Sequence, residues 1–273
     1  PVSVTLTAVH FADEKNGWAV GHSGIILSSN DGGQTWKKQL DGLQANKLML
    51  DAARASGNAA WLERSENFDK DGADKPFLAV HFSDAKHGLA VGAYGLAFAT
   101  DDGGAKWTPV FDAAPEGDER HLYVIHQTAQ AIYVAGEQGM LLRKPLGQGS
   151  FHKLNTPFRN TVFELQSTPD GALLAAGLGG KLFRSDDEGQ QWSEVNLPGK
   201  ASLTAGAVIK QGVLLASEAG QFLLSADGGR SFNPVNVPQP FPVSGLTQTA
   251  DGQWVLVGPR GVLAMAVPNL QKN

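Results

Sequence analysis

The chain has no cysteine among its 273 residues. That excludes disulfide staples, thiol nucleophiles and thiolate metal sites, while leaving the compartment open. Charge is also sparse: 18% of residues carry it and the net charge is −5. No run of Lys or Arg exceeds two residues, so nucleic acid and anionic membrane are poor partners. No apolar stretch approaches the roughly 18 residues of a bilayer-spanning helix, so direct membrane insertion is not expected. The chain opens on Pro1 instead of Met and reads as a processed or trimmed product, with any secretory signal upstream. What it has in quantity is glycine, 33 residues, which favours a turn-rich β protein large enough to bury its own core.

One twenty-residue phrase recurs. Gly17–Trp36 reads GWAVGHSGIILSSNDGGQTW and returns at Gly88–Trp107, Leu173–Trp192 and Val213–Phe232. Worn copies lie at Ile132–Phe151 and at Trp254–Asn273, where only the first half survives. A short alternating segment precedes each copy, LTAVHF at Leu6–Phe11 and FLAVHF at Phe77–Phe82 in the first two. Period-two runs bounded by Gly, Asp and Asn are strands joined by hairpins, four to a complete unit. The reference turn falls at Gly21, Gly92, Gly136, Gly177, Ser217 and Gly258, in steps of 71, 44, 41, 40 and 41 residues. A period of about 40–45 residues is that of a β-propeller blade. The fold class is therefore all-β: one propeller domain over residues 1–273, with six repeats visible, or seven blades if an upstream blade has been trimmed.

The long step contains an insertion, residues 41–76. Leu48, Met49, Ala52 and Ala53 stand at helical spacing, Gly57 ends that helix and Asn58 caps a second. Trp61, Leu62, Ser65 and Phe68 then share a face. Two short helices are expected after the first blade, and deletion of residues 41–73 is expected to leave a folded propeller. The sixth repeat lacks its outer strand, and Pro1–Thr5 is the candidate to supply it.

Four segments match S/T-x-D-x-G-x-x-W/F: Ser29, Asp31, Gly33 and Trp36; Thr100, Asp102, Gly104 and Trp107; Ser185, Asp187, Gly189 and Trp192; Ser225, Asp227, Gly229 and Phe232. Glycine tolerates positive φ in such a turn, and the Asp and Ser or Thr side chains satisfy its free N–H groups. The pairs Asp101–Asp102 and Asp186–Asp187 invite an acid–base reading, but turn chemistry already accounts for their shared position. These segments resemble the Asp-box (BNR) repeat propellers, which include sialidases and sortilin-type receptors. The longer phrase F-x-D-x-x-x-G-W-A-V-G-x-x-G-x-I-L-x-S-x-D-G-G-x-T-W, nearly complete at Phe11–Trp36, resembles the photosystem II stability/assembly factor family and its bacterial relatives. The resemblance implies architectural boxes and a non-enzymatic scaffold or assembly factor, in the periplasm or a photosynthetic lumen. It implies a protein partner belonging to a membrane-protein complex, and no cofactor. A monomer is expected.

The alternative is a carbohydrate-active propeller, sialidase-like or glycan-binding. It needs an arginine trio and a Tyr nucleophile, and the chain offers only Tyr94, Tyr123 and Tyr133 with no Arg-Ile-Pro motif. No catalytic residue and no metal ligand is expected. His10, His81 and His126 occupy equivalent strand positions, where packing outweighs a zinc site. The DKDGAD run at Asp69–Asp74 lacks the distal Glu of a calcium loop. Strand order places the insertion on the side of the G-x-x-G turns, opposite the boxes. Partner-binding candidates there are Trp61, Phe68, His22, Tyr94, Glu137 and Arg260. Arg143 and Arg184, one place before successive boxes, are candidates for a basic patch.

Overall fold

Alternating apolar runs punctuated by Gly, Asp and Asn fold here into six antiparallel sheets. The structure is a computed structural model describing residues 2–114, 118–147, 149–237, 239–249 and 251–266. Blade 1 comprises β1 (Leu6–Phe11), β2 (Gly17–Gly21), β3 (Ile25–Ser29) and β4 (Lys37–Leu40), paired in that order. Helices α1 (Gly42–Ser56) and α2 (Ala59–Lys70) follow. Blade 2 is β5 (Phe77–Phe82), β6 (Gly88–Gly92), β7 (Ala97–Thr100) and β8 (Thr108–Pro109). Blade 3 is β9 (Leu122–Gln127), β10 (Ala131–Gly136), β11 (Leu141–Pro145) and β12 (His152–Lys153). Blade 4 is β13 (Val162–Ser167), β14 (Leu173–Gly177), β15 (Leu182–Ser185) and β16 (Ser193–Glu194). Blade 5 is β17 (Leu203–Ile209), β18 (Gly212–Ser217), β19 (Phe222–Ser225) and β20 (Asn233–Val235). The sixth sheet has three strands among the described residues, β21 (Gly245–Gln248), β22 (Trp254–Gly258) and β23 (Gly261–Met265). This is the β-propeller predicted by the repeat period.

The chain divides into two compact units, Pro1–Gly136 with Leu142–Lys153, and Glu137–Leu141 with Leu154–Asn273. Residues 2–5, expected as a closing strand, form none. Val2 and Val4 instead pack on Ala19, Ile25 and Leu27 of blade 1. Pro1, and residues 267–273 of the last repeat, lie outside the described residues, as does Pro238 in the Pro234–Pro242 link.

The phrase F-x-D-x-x-x-G has a packing reason. Phe11 pairs with Gly17 and Phe82 with Gly88, and each ring lies over its glycine: a Cβ on Gly88 would stand 2.3 Å from Phe82. In blades 3 and 4 the phenylalanine becomes Gln127 or Ser167, and the glycine opposite becomes Ile132 or Leu173. The ring also builds the seam between blades 1 and 2. Trp18 stacks on Phe82 at 3.5 Å between centroids, and Phe82 meets Trp107 edge-on at 5.9 Å. Trp18 Nε1 and Gln39 Nε2 both donate to the Gly103 carbonyl inside the second box, at 3.2 and 2.8 Å.

The boxes spend their polar atoms internally. Ser29 Oγ donates to Asp31 Oδ1 at 2.8 Å and accepts from Gly33 N at 2.9 Å. Asp31 accepts from the side chain and backbone of Thr35, which with Ser29 hold its carboxyl down to about 2. Gly33 adopts φ 85°, and Trp36 Nε1 donates to its carbonyl at 3.0 Å. The hydroxyl-to-Asp and Gly N–H-to-hydroxyl bonds recur at Thr100–Asp102–Gly104, Ser185–Asp187–Gly189 and Ser225–Asp227–Gly229. Carboxylates so bonded stay ionised and cannot act as general acids. Ser225 is fully buried, so Ser225→Ala leaves the Gly229 N–H without a partner. That variant is expected to lose about 1–3 kcal/mol, read as a lower urea midpoint.

Candidate functional site

The insertion is fixed by local rules before it meets the blades. Asp41 accepts from Gln44 N while the Gln44 side chain accepts from Asp41 N, a capping box at the start of α1. Gly57 closes that helix at φ 69°, and Asn58 caps α2 by accepting from Trp61 N. The amphipathic faces then turn inward. Ala45, Met49, Ala53 and Phe68 join Leu40, Phe77, Leu96, Phe98 and Phe111 in one buried cluster.

Cations seal the join. Lys75 is buried, donates to the carbonyls of Phe68 and Gly72 at 3.1 and 3.3 Å, and lies over the Phe68 ring. A positive charge there also suits the negative end of α2. Asn46 Nδ2 donates to the same two carbonyls. Arg64 leaves α2 on the other side, where burial lowers its pKa against the raising effect of nearby Glu119. Its guanidinium donates to the carbonyls of Tyr94 and Ala114 at 2.9 and 3.4 Å. Trp61 stacks on Phe111 at 4.5 Å, with the planes 9° apart.

These bonds present one exposed aromatic on a rigid frame. Tyr94 lies in the turn Ala93–Gly95 at φ 54°, a left-handed conformation unusual for a bulky residue. Its N–H donates to His121 Nδ1, its ring meets His121 edge-on at 4.7 Å, and 46% of the residue is exposed. His22 is exposed in the corresponding turn of blade 1, next to Ser23, which donates to the Asp74 carbonyl and accepts from Gly42 N. The structure thus brings Trp61, Tyr94 and His22 onto elements joined by the insertion.

Other candidates fall elsewhere. Phe68 is 3% exposed, so it is a core residue and not a contact for a partner. Helical spacing showed which residues share its face, but not that this face points inward. Arg184 is also buried: it donates to the Gly228 carbonyl and pairs with Asp170 and Asp186 at 3.0 and 2.5 Å. It braces two blades of the second unit and cannot serve a surface patch. Arg143 donates to the hydroxyl of buried Tyr133 at 3.2 Å. In the second unit Glu137 is half-buried and Arg260 exposed, each at a β-turn.

His10 and His81 lie 4.7 Å apart, bonded to the Phe82 carbonyl and the Gln127 side chain. Among the described residues no group of three or more His, Asp or Glu side chains is arranged to hold a metal. Arg64 and Lys75 escaped sequence reasoning. Their signal was a cation one turn before Phe68 and another just past the end of α2.

A sequence model described as photosynthesis system II assembly factor YCF48 matches residues 1–68 and 64–156, more than half of the chain. The chain belongs to the YCF48 family. Photosystem II assembly protein Ycf48 of Thermosynechococcus vestitus is 24% identical over 305 aligned positions, spanning 99% of this chain and 84% of that protein. Photosystem II assembly lipoprotein Ycf48 of Prochlorococcus marinus is 25% identical, over 86% of this chain and 76% of its own. Among solved structures, YCF48 bound to D1 peptide superposes with a TM-score of 0.68 at 18% identity, covering 99% of this chain and 81% of that one. The fold alone does not carry that role, because a streptogramin B lyase superposes with a TM-score of 0.67 at 12% identity, over 98% of this chain and 84% of the lyase. YCF48 relatives are named as assembly proteins, and no helix among the described residues is long and apolar enough to cross a membrane.

Proposed function

We propose that this YCF48-family chain is a non-enzymatic assembly factor that binds a segment of a membrane-protein complex on the extracytoplasmic side of the membrane. The binding face in this reading is that of α1, α2 and the turn Ala93–Gly95, with Tyr94 as its exposed aromatic and Trp61 and His22 on the adjoining elements. The observation that carries this reading is the use made of Arg64. A half-buried guanidinium ties down two loop carbonyls beside a solvent-facing tyrosine, which occupies the left-handed position of a turn that the other blades share. Folding gains nothing from exposing that ring, whereas aromatic anchors on rigid loops are what protein interfaces use. The family, the lipoprotein names of relatives and the peptide complex of a structural neighbour support a protein partner at a membrane. Domain-wide, the reading takes residues 1–273 as one monomeric propeller.

Tyr94→Ala tests it in a capture assay using the detergent-solubilised membrane complex of the source organism. Loss of a central aromatic anchor is expected to weaken capture about tenfold or more. Lys106→Ala, in the second box, is expected to leave capture unchanged. Equal capture by wild type and Tyr94→Ala would sink the proposal.

A further inference from the structure

Blade 4 and blade 5 break the repeat at two adjoining positions. In the first strands of blades 1 to 5, the residue two places after the opening pair is Ala8, Ala79, Val124 or Ala205, but in blade 4 it is Glu164. The next position is Val9, Val80, Ile125 or Leu165, but in blade 5 it is Gly206. The two departures touch. A Cβ on Gly206 would stand 3.1 Å from Glu164 Cγ, 3.3 Å from Cδ and 3.0 Å from the Leu215 side chain. An acid stands where other blades are small or apolar, against a glycine where other blades carry a branched chain.

The surroundings are apolar. Glu164 is half-buried, with its Cγ and Cδ packed against Gly206 of the next blade. Leu165, Ala176, Leu203, Ala205 and Leu215 are all buried, and strands β14, β17 and β18 carry no titratable side chain. The turn Glu137–Gly139, which also packs on β13, contributes Glu137, a second carboxylate and no counter-charge. The Gly206 backbone faces the Glu164 carboxyl and weakly favours the anion. A carboxyl packed among apolar strands with no cation is most stable as the neutral acid, and desolvation raises Glu164 from 4.5 to about 8.

We propose that Glu164 and Gly206 form a proton-operated latch between blades 4 and 5. With the carboxyl protonated the β13–β17 seam is closed, and loss of the proton opens it so that the anion reaches water. Opening and deprotonation are then linked. The opening equilibrium rises about tenfold per pH unit from near pH 5 until the closed-state carboxyl itself ionises, and levels off beyond that. The latch works on the second unit's own strands and is independent of which face binds a partner.

Backbone hydrogen exchange at Ala205–Val208, corrected for intrinsic rate, reads the opening from pH 5 to 9. The wild type is expected to lose protection about tenfold per pH unit and then plateau, while Glu164→Gln is expected to show no trend. A carbon-13 titration of the wild-type glutamate carboxyls gives a second reading that needs no variant for its curve. Glu164 is expected to titrate well above the other glutamates. Titration of every glutamate below pH 6, or the same exchange slope in wild type and Glu164→Gln, would overturn the proposal.

Discussion

Replacing residues 41–73 with a short glycine–serine linker is expected to unfold the first unit instead of leaving a trimmed propeller. The sequence reads this segment as a detachable insertion, because it interrupts the repeat and carries its own caps. Packing reverses that expectation. Ala45, Met49, Ala53 and Phe68 belong to the same buried cluster as Leu40, Phe77, Leu96, Phe98 and Phe111, so deletion strips that cluster of its helical members. Truncating one buried Met or Phe costs roughly 2–5 kcal/mol. Losing several together approaches the whole stability of a domain, about 5–15 kcal/mol. The linker variant is expected to be insoluble or to melt without cooperativity. Phe68→Ala, the milder form of the same test, is expected to lose about 3–5 kcal/mol while still folding. A cooperative urea transition of the linker variant at the wild-type midpoint would show that the helices are dispensable.

The second large effect is on stability against pH, and the two units have opposite slopes. In the first unit burial lowers His81 and His126 from 6.5 to about 4, and lowers His10 as well; neighbouring His10 adds to the effect on His81. Between about pH 4 and 6.5 the unfolded chain binds more protons than the folded one, so stability there is lost as pH falls. In the second unit the folded state of Glu164 holds its proton to about pH 8, whereas the unfolded carboxyl releases it near 4.5. The folded state binds more protons in that window, so stability falls as pH rises and the loss is complete near pH 8. Each tenfold difference in proton affinity between the two states is worth about 1.4 kcal/mol, so this loss is on the order of a few kcal/mol. Glu164→Gln cannot ionise and is expected to match wild type near pH 4 and exceed it by that amount at pH 8. His81→Gln is expected to flatten the acid limb alone. Single-tryptophan variants separate the limbs, one keeping Trp107 in the first unit and one keeping Trp254 in the second.

Much of the fold is legible because the repeat states it six times. Each blade's four-strand order follows from one phrase, and the fourth strand begins just after the aromatic of the box, as at Trp36 and Trp107. The helices are legible because Asp41, Gln44, Gly57 and Asn58 are caps that act within three or four residues. What escaped depends on partners distant in sequence. Arg143 and Arg184 look equivalent by repeat position, yet Arg184 is buried by Asp170 and Gly228 from another hairpin and another blade. Helical spacing puts Phe68 on the face of Trp61 and Ser65, but only the packing of α2 on the blades shows that it is buried. Glu164 is a single departure within one strand, and it acquires meaning only beside Gly206, whose own departure lies in the next blade.

The same geometry separates architecture from function. The box aspartates, the most conspicuous polar residues in the chain, accept hydrogen bonds from their own turns. Tyr133 is buried and bonded to Arg143, unlike a reactive nucleophile. The insertion face combines a rigid support with an exposed aromatic, and it carries the proposal of partner binding.

The most direct test of that proposal is site-specific photo-cross-linking in the native envelope, with the reactive side chain placed at Tyr94 in one variant and at Lys106 in another. Adducts are expected between position 94 and a subunit of a membrane-protein complex, and none from position 106 on the box side. Adducts from position 106 with none from position 94 would contradict partner binding at the insertion face.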